Sequence, residues 1–156
     1  MLTVGNPAPV MDLPSDDGSR VQIPDPQGRA VALFFYPKDM TPGCTTESKD
    51  FRDLKSEFDA TNTLIVGISK DSLDSHAKFR NKEQLNFPLA SDEGEQIAEA
   101  YGVWMEKSMY GKKYMGIDRS TFLIDAAGQI VGAWHKVKVP GHAAEVLEAA
   151  KALAKG

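Results

Sequence analysis

Two short apolar runs, each followed by a segment of helical periodicity, constrain this chain more than anything else in it. "AVALFFY" (30 to 36) has no alternation of polar residues and is bounded by Gly28-Arg29 and Pro37, which suits a strand buried on both faces. Next comes "TTESKDFRDLKSEFD" (45 to 59), with Phe51, Leu54 and Phe58 on one face and charges around the rest, an amphipathic helix. "TLIVGIS" (63 to 69) repeats the buried-strand pattern, and "SLDSHAKFRNKEQL" (72 to 85) predicts a more polar helix with Asp71 or Ser72 as its cap. Right-handed crossovers fold two such strand-helix units into a parallel pair.

The remaining segments extend that sheet. "FPLASD" (87 to 92) is a short extended piece and "EQIAEAYG" a short helix stopped by Gly102. "STFLID", "AAGQ" and "IVGAWHKV" read as strand, turn and strand, and "HAAEVLEAAKALAKG" as a terminal helix. The late hairpin adds to the sheet antiparallel, so the expected class is α/β: a thioredoxin-like fold with a central mixed sheet flanked by helices. The first thirty residues hold five of the nine prolines, with "SDDGS" between "VMDL" and "RVQI", which predicts a short N-terminal β-hairpin packed on the edge of something larger. Segment 103 to 120, with Trp104, Met105, Met109, Tyr110, Tyr114 and Met115, reads as an inserted loop or hairpin, either ordinary packing or a surface for organic peroxides or a partner. No repeat or linker divides the 156 residues, so one domain over 1–156 is expected.

Composition excludes several classes. A formal charge of -4 lacks the basic excess that a phosphate backbone requires, so nucleic acid is not an expected partner. The longest apolar run falls far short of the roughly 20 residues that span a bilayer. "MLTVGNPAPV" has no basic n-region, and together with the single cysteine this points to the cytoplasm. His76, His135 and His142 show no metal-binding spacing or tight carboxylate pairing, and no phosphate loop is present, so no metal and no cofactor are expected. The carboxylates at 12 to 17 and 91 to 95 read as solvated turns.

The chemistry gathers at Cys44, the only cysteine, where the first strand hands over to the first helix in "FFYPKDMTPGCTTES". Sites in open α/β sheets form outside the carboxyl ends of strands. A cysteine in the first turn of a helix faces unpaired N–H groups and the positive end of the dipole, which favour the thiolate, the nucleophilic form. Thr41 can place a hydroxyl against the sulfur, donating to a thiolate or accepting from a substrate. Pro37 and Pro42 stiffen the turn and Gly43 permits close backbone approach. Glu47 can bond first-turn N–H groups or orient a distant arginine. Most lone cysteines are inert core residues, but a polar turn between Gly43 and Thr45 is poor core company.

Pro37, Thr41 and Cys44 stand in the pattern P-x-x-x-T-x-x-C, which resembles the active-site signature of the peroxiredoxins. The longer "FFYPKDMTPGCTTE", with "FPLASD" and "GIDRSTFLID", is similar to the bacterioferritin-comigratory, or Q-type, branch over nearly the whole chain. The resemblance implies a thiol peroxidase that reduces hydrogen peroxide and organic hydroperoxides. Cys44 would be the peroxidatic cysteine, oxidised to a sulfenic acid. Thr41 would hydrogen-bond thiolate and peroxide, and Pro37 would shield the pocket. Arg119 matches the active-site arginine, favouring the thiolate and stabilising charge on the departing oxygen; on local pattern alone it is a surface charge before a strand. The branch is often monomeric, so a monomer is expected.

The chain departs from the branch at its second cysteine. Many members carry a resolving cysteine five residues after the first or in the following helix, where this chain has Lys49 and Arg80. A one-cysteine mechanism follows, in which an external thiol reductant (glutathione, glutaredoxin or thioredoxin) attacks the sulfenic acid. The alternatives are a monothiol thiol-disulfide oxidoreductase, since Thr41 stands where C-x-x-C has its first cysteine, and an oxidant-sensing binding module.

Overall fold

A computed structural model describes residues 2 to 156. The N-terminal hairpin, β1 (Met11–Pro14) and β2 (Arg20–Ile23), is antiparallel as expected. Then follow β3 (Ala30–Phe35), α1 (Pro42–Asp53), α2 (Lys55–Ala60), β4 (Thr63–Ser69), α3 (Leu73–Glu83), β5 (Leu89–Ser91) and α4 (Gln96–Ala100). The rest is β6 (Trp104–Met109), β7 (Lys112–Ile117), β8 (Ser120–Ile124), β9 (Ile130–Trp134) and α5 (His142–Lys155). Five strands form one mixed sheet in the order β5-β4-β3-β8-β9, with β3, β4 and β5 parallel and β8 and β9 antiparallel.

β3 is central because both its faces and both its edges are used. Val31, Leu33 and Phe35 join an apolar cluster with Val66, Ile68, Phe122 and Tyr101. The alternate residues Ala32, Phe34 and Tyr36 join the opposite cluster with Phe51, Phe58, Phe79 and Val146. Period-two alternation thus sends one strand into two cores, which is why its sequence shows no polar face. Gly67 of β4 makes room for this: a Cβ there would meet Phe34 and Leu89 side-chain carbons at 2.9 Å.

Two helical boundaries differ from expectation. The first helix begins at Pro42 instead of Thr45, because proline's fixed φ suits the first helical position. It also ends at Asp53, where the N–H of the capping Leu54 bonds the Phe51 carbonyl three residues back, so the single predicted helix is two, with Phe51 and Phe58 still in one buried cluster. Segment 104–117 is a hairpin with a Tyr110-Gly111 turn, both at positive φ (52 and 77), as a type I′ turn requires. Its Met109, Tyr110, Tyr114 and Met115 are exposed, so the packing reading fails for these four.

The N-terminal hairpin docks on β5 through a bridge between Ser15 and Ala90. Arg80 of α3 secures it, donating to the buried Asp16 carboxylate and to the Leu85 and Phe87 carbonyls. No helix among the described residues is long and apolar enough to cross a membrane.

Candidate active site

Strand register builds the site. Phe35 of β3 pairs with Ser120 of β8, so Arg119 sits beside the carboxyl end of β3, where the chain turns into α1. Across 75 residues of sequence the arginine reaches the cysteine: Arg119 Nη2 donates to Cys44 Sγ at 3.2 Å. Its Nη1 donates to Glu47 Oε1 at 2.6 Å, one turn further along α1. The planar guanidinium thus spans both groups, which an ammonium could not do with one fixed geometry. Gly43 is the residue that permits this, since a Cβ there would lie 3.2 Å from Nη2.

Cys44 is the third residue of α1, inside the first turn, and its N-cap Thr41 supplies no side-chain cap. First-turn N–H groups therefore stay available to an incoming anion or to the thiolate. The expectation of a thiol in polar company needs correction: Cys44 is fully buried and belongs to the Phe34, Tyr36, Phe51 cluster. Successive helical residues point about 100° apart. Gly43 and Thr45 therefore face elsewhere, while Cys44, Glu47, Ser48 and Phe51 share the buried face.

Thr41 also differs in detail from expectation. Its hydroxyl donates to the Lys38 carbonyl at 2.9 Å, and among the described residues no hydrogen bond joins it to the sulfur. With its one hydrogen used by the turn, the oxygen is left as an acceptor. Pro37 follows Tyr36 at the end of β3 and is partly buried.

The carboxylate beside the arginine is unusual. Glu47 is 1 % exposed and, among the described residues, its Oε2 has no hydrogen-bond partner. Burial pushes its carboxyl up to about 7, with the charge of Arg119 pulling the other way. Burial opposes the charge on Arg119 itself, but Glu47 and Cys44 outweigh that and hold it above its ordinary value. The folded chain keeps the Glu47 proton between 4.5 and about 7, so this group makes stability fall as pH rises through that window and level off above it. Urea unfolding at several pH values should show that slope in the unaltered chain and not in Glu47→Gln, which keeps the Oε1 acceptor; equal slopes would contradict the assignment.

Three further side chains were invisible to spacing arguments. Lys107 of β6 lies over Gly116 and feels Asp118, Arg119 and Cys44; burial lowers its pKa and Arg119 pushes the same way. His142, the first residue of α5, is buried, its Nε2 meets Thr121 Oγ1 at 2.8 Å, and burial takes its pKa down to about 4. His76, expected on a polar helix without carboxylate pairing, is fully buried with Nδ1 at 2.7 Å from Asp39 Oδ2. Asp39 and His76 are 37 positions apart, so no motif joins them.

The comparisons with known proteins agree with this geometry. The AhpC/TSA family model matches residues 4–133. The chain is 47% identical to peroxiredoxin Bcp of Bacillus subtilis, covering 96% of each. It is 48% identical to a putative peroxiredoxin of Coxiella burnetii, covering 94% of this chain and 97% of that one. The bacterioferritin comigratory protein of Xanthomonas campestris, whose structures bear on its alkyl peroxide reduction activity, superposes with a TM-score of 0.87 at 47% identity over 92% of both chains. Identity of this order over nearly the full length, with one thiol under one arginine at the end of β3, makes the chain a member of the AhpC/TSA family: a thiol peroxidase of the Bcp, or Q-type, peroxiredoxins with a single cysteine.

Proposed function

We propose that Cys44 is the peroxidatic residue, acting on hydrogen peroxide and on organic hydroperoxides, and that a thiol from outside the chain completes the cycle. The contact that carries the reading is Arg119 Nη2 to Cys44 Sγ at 3.2 Å. The thiolate attacks one peroxide oxygen; an S–O bond forms as the O–O bond breaks. Sulfur is oxidised to the sulfenic acid, and the departing oxygen leaves as alkoxide or hydroxide and takes up a proton as alcohol or water. Arg119 faces the developing negative charge with a guanidinium already held in place by Glu47, so little reorganisation accompanies the reaction. Thr41 contributes an acceptor for the peroxide O–H, and Pro37 walls the pocket. Alkyl peroxide reduction by the Xanthomonas campestris relative supports organic substrates.

Resolution needs a second thiol. Lys49 and Arg80 occupy the expected positions of a resolving cysteine, and the Arg80 guanidinium is tied to Asp16. One external thiol displaces the sulfenic oxygen as water, leaving a mixed disulfide; a second releases Cys44. Because Cys44 is fully buried, the first turn of α1 has to open for that step. Glutathione, glutaredoxin and thioredoxin fit the requirement, and the protein works as a monomer in the cytoplasm. Mass spectrometry after one equivalent of peroxide tests this: a single added oxygen on Cys44, converted by glutathione to a mixed disulfide, is expected. A Cys44–Cys44 dimer instead would assign resolution to a second copy and overturn the external-thiol route.

A further inference from the structure

Behind the turn that joins β3 to α1 lies a buried polar cluster that the peroxide chemistry does not itself use. Asp39 is its centre: Oδ1 accepts from Tyr36 Oη at 2.6 Å, and Oδ2 accepts from Ser75 Oγ at 2.8 Å while facing His76 Nδ1 at 2.7 Å. The Asp39 N–H donates to Asp71 Oδ2 at 2.8 Å, an oxygen that also accepts from Ser69 Oγ at 2.6 Å. The other ring nitrogen of His76, Nε2, faces the Ala90 carbonyl at 2.9 Å. Asp39, Asp71 and His76 bring ligand atoms within 4.8 Å of one another. These oxygens already accept from protein donors, however, and a cation would have to displace them, so the cluster reads better as a closed network than as a metal site.

The partners set the charge of the ring. A backbone carbonyl only accepts, so Nε2 carries a hydrogen. A carboxylate that already accepts from Tyr36 and Ser75 is the acceptor at Oδ2 as well, so Nδ1 carries one too. A ring protonated on both nitrogens is an imidazolium, balanced by Asp39. Burial works against that charge, but Asp39, the Ala90 carbonyl and Asp71 outweigh it and raise the His76 pKa. Tyr36, held well above its ordinary value by burial and by the charge of Asp39, stays a neutral donor.

We propose that His76 is a positioning residue of the peroxidase, a buried imidazolium that holds the Pro37–Thr41 turn in its reactive shape through Asp39. The inference rests on the roles given to Cys44 and Thr41 above. Asp39 sits midway in the turn, beside Lys38, whose carbonyl takes the Thr41 hydroxyl, and Met40, held at φ 63. A left-handed φ at a non-glycine residue is unfavourable and persists only where the surroundings enforce it. Loss of a ring proton removes the imidazolium charge that faces the Asp39 carboxylate and leaves one nitrogen bare against an acceptor, Asp39 or the Ala90 carbonyl, so the clamp weakens. The stability it lends is complete below the ordinary histidine value of 6.5 and is lost as pH rises through the raised folded value. The rate of Cys44 oxidation should fall through that same range, opposite in sign to the rise that thiolate formation causes.

Nitrogen NMR of the ring in the full chain should show both nitrogens protonated at neutral pH, with the proton lost above the ordinary histidine value. Stopped-flow oxidation by hydrogen peroxide should slow by about 10- to 100-fold in His76→Gln, the cost expected of a misplaced catalytic group. The high-pH fall should vanish with it, and Asp39→Asn should add little to His76→Gln, since both break one clamp. A ring with one bare nitrogen at neutral pH, or a His76→Gln chain oxidised at the unaltered rate, would overturn the proposal. If the variant does not fold, the ring spectrum and the rate-pH profile of the unaltered chain decide. Failure of the Cys44 assignment would be seen separately, as peroxide consumption by Cys44→Ser beside an unchanged ring spectrum.

Discussion

Cys44→Ser should consume peroxide no faster than the buffer and thiol donor alone, while melting close to the unaltered chain. The loss is total because the reaction needs an ionised, polarisable nucleophile, and a serine hydroxyl has neither property at neutral pH. No second thiol exists in the chain to take over. The fold should tolerate the change: the side chain is fully buried, but Arg119 Nη2 already points at this position and would donate to the new oxygen. A satisfied buried hydroxyl in place of a thiol shifts stability by about 1 kcal/mol, so a modest change in melting temperature is expected. Substantial remaining activity in a folded Cys44→Ser chain would remove Cys44 from the centre of the reaction.

Arg119→Met should slow Cys44 oxidation by about 100- to 1,000-fold, the effect of deleting one preorganised donor from a charge-stabilising site. It should also destabilise the fold, because Glu47 is 1 % exposed and loses its only hydrogen-bonding partner among the described residues. Breaking a buried ion pair from one side costs about 3–5 kcal/mol. Glu47 can answer by taking up a proton, since its carboxyl already lies at about 7, so the loss should be smaller in mild acid than above neutrality. The double variant Arg119→Met with Glu47→Gln separates the two consequences: stability should return and the oxidation rate should not. If the rate returned with stability, Arg119 would be a structural counter-ion and its chemical role would be lost. Arg119→Lys should fall between, keeping charge but not the fork that spans Sγ and Oε1.

Much of the architecture was legible because the pattern behind it is local. "AVALFFY" and "TLIVGIS" lack a polar face because β3 and β4 are buried on both sides, and the hairpin residues around "SDDGS" carry their own turn signal. The break at Leu54 was not legible, since the periodicity of Phe51, Leu54 and Phe58 is the same for one helix or two. At the site, Pro37, Thr41 and Cys44 lie within one turn and could be picked out together, while Glu47 was open between bonding the first-turn N–H groups and orienting a distant arginine, and the structure takes the second. Arg119, 75 residues from Cys44, came only through the family likeness, because nothing in "GIDRST" distinguishes it from a surface charge.

Local order along the chain was therefore enough for most of the elements, the mixed α/β class and a nucleophile at a strand-to-helix junction. Tertiary structure alone decided the company each group keeps. The pairing of Phe35 with Ser120 delivers Arg119 to the sulfur. Packing of α1 on the sheet buries Cys44 and Glu47 on one face, and the approach of α3 to the β3 end encloses His76 with Asp39. Burial and long-range pairing are properties of surfaces that meet only after folding, and these same contacts set the charge states on which the chemistry depends.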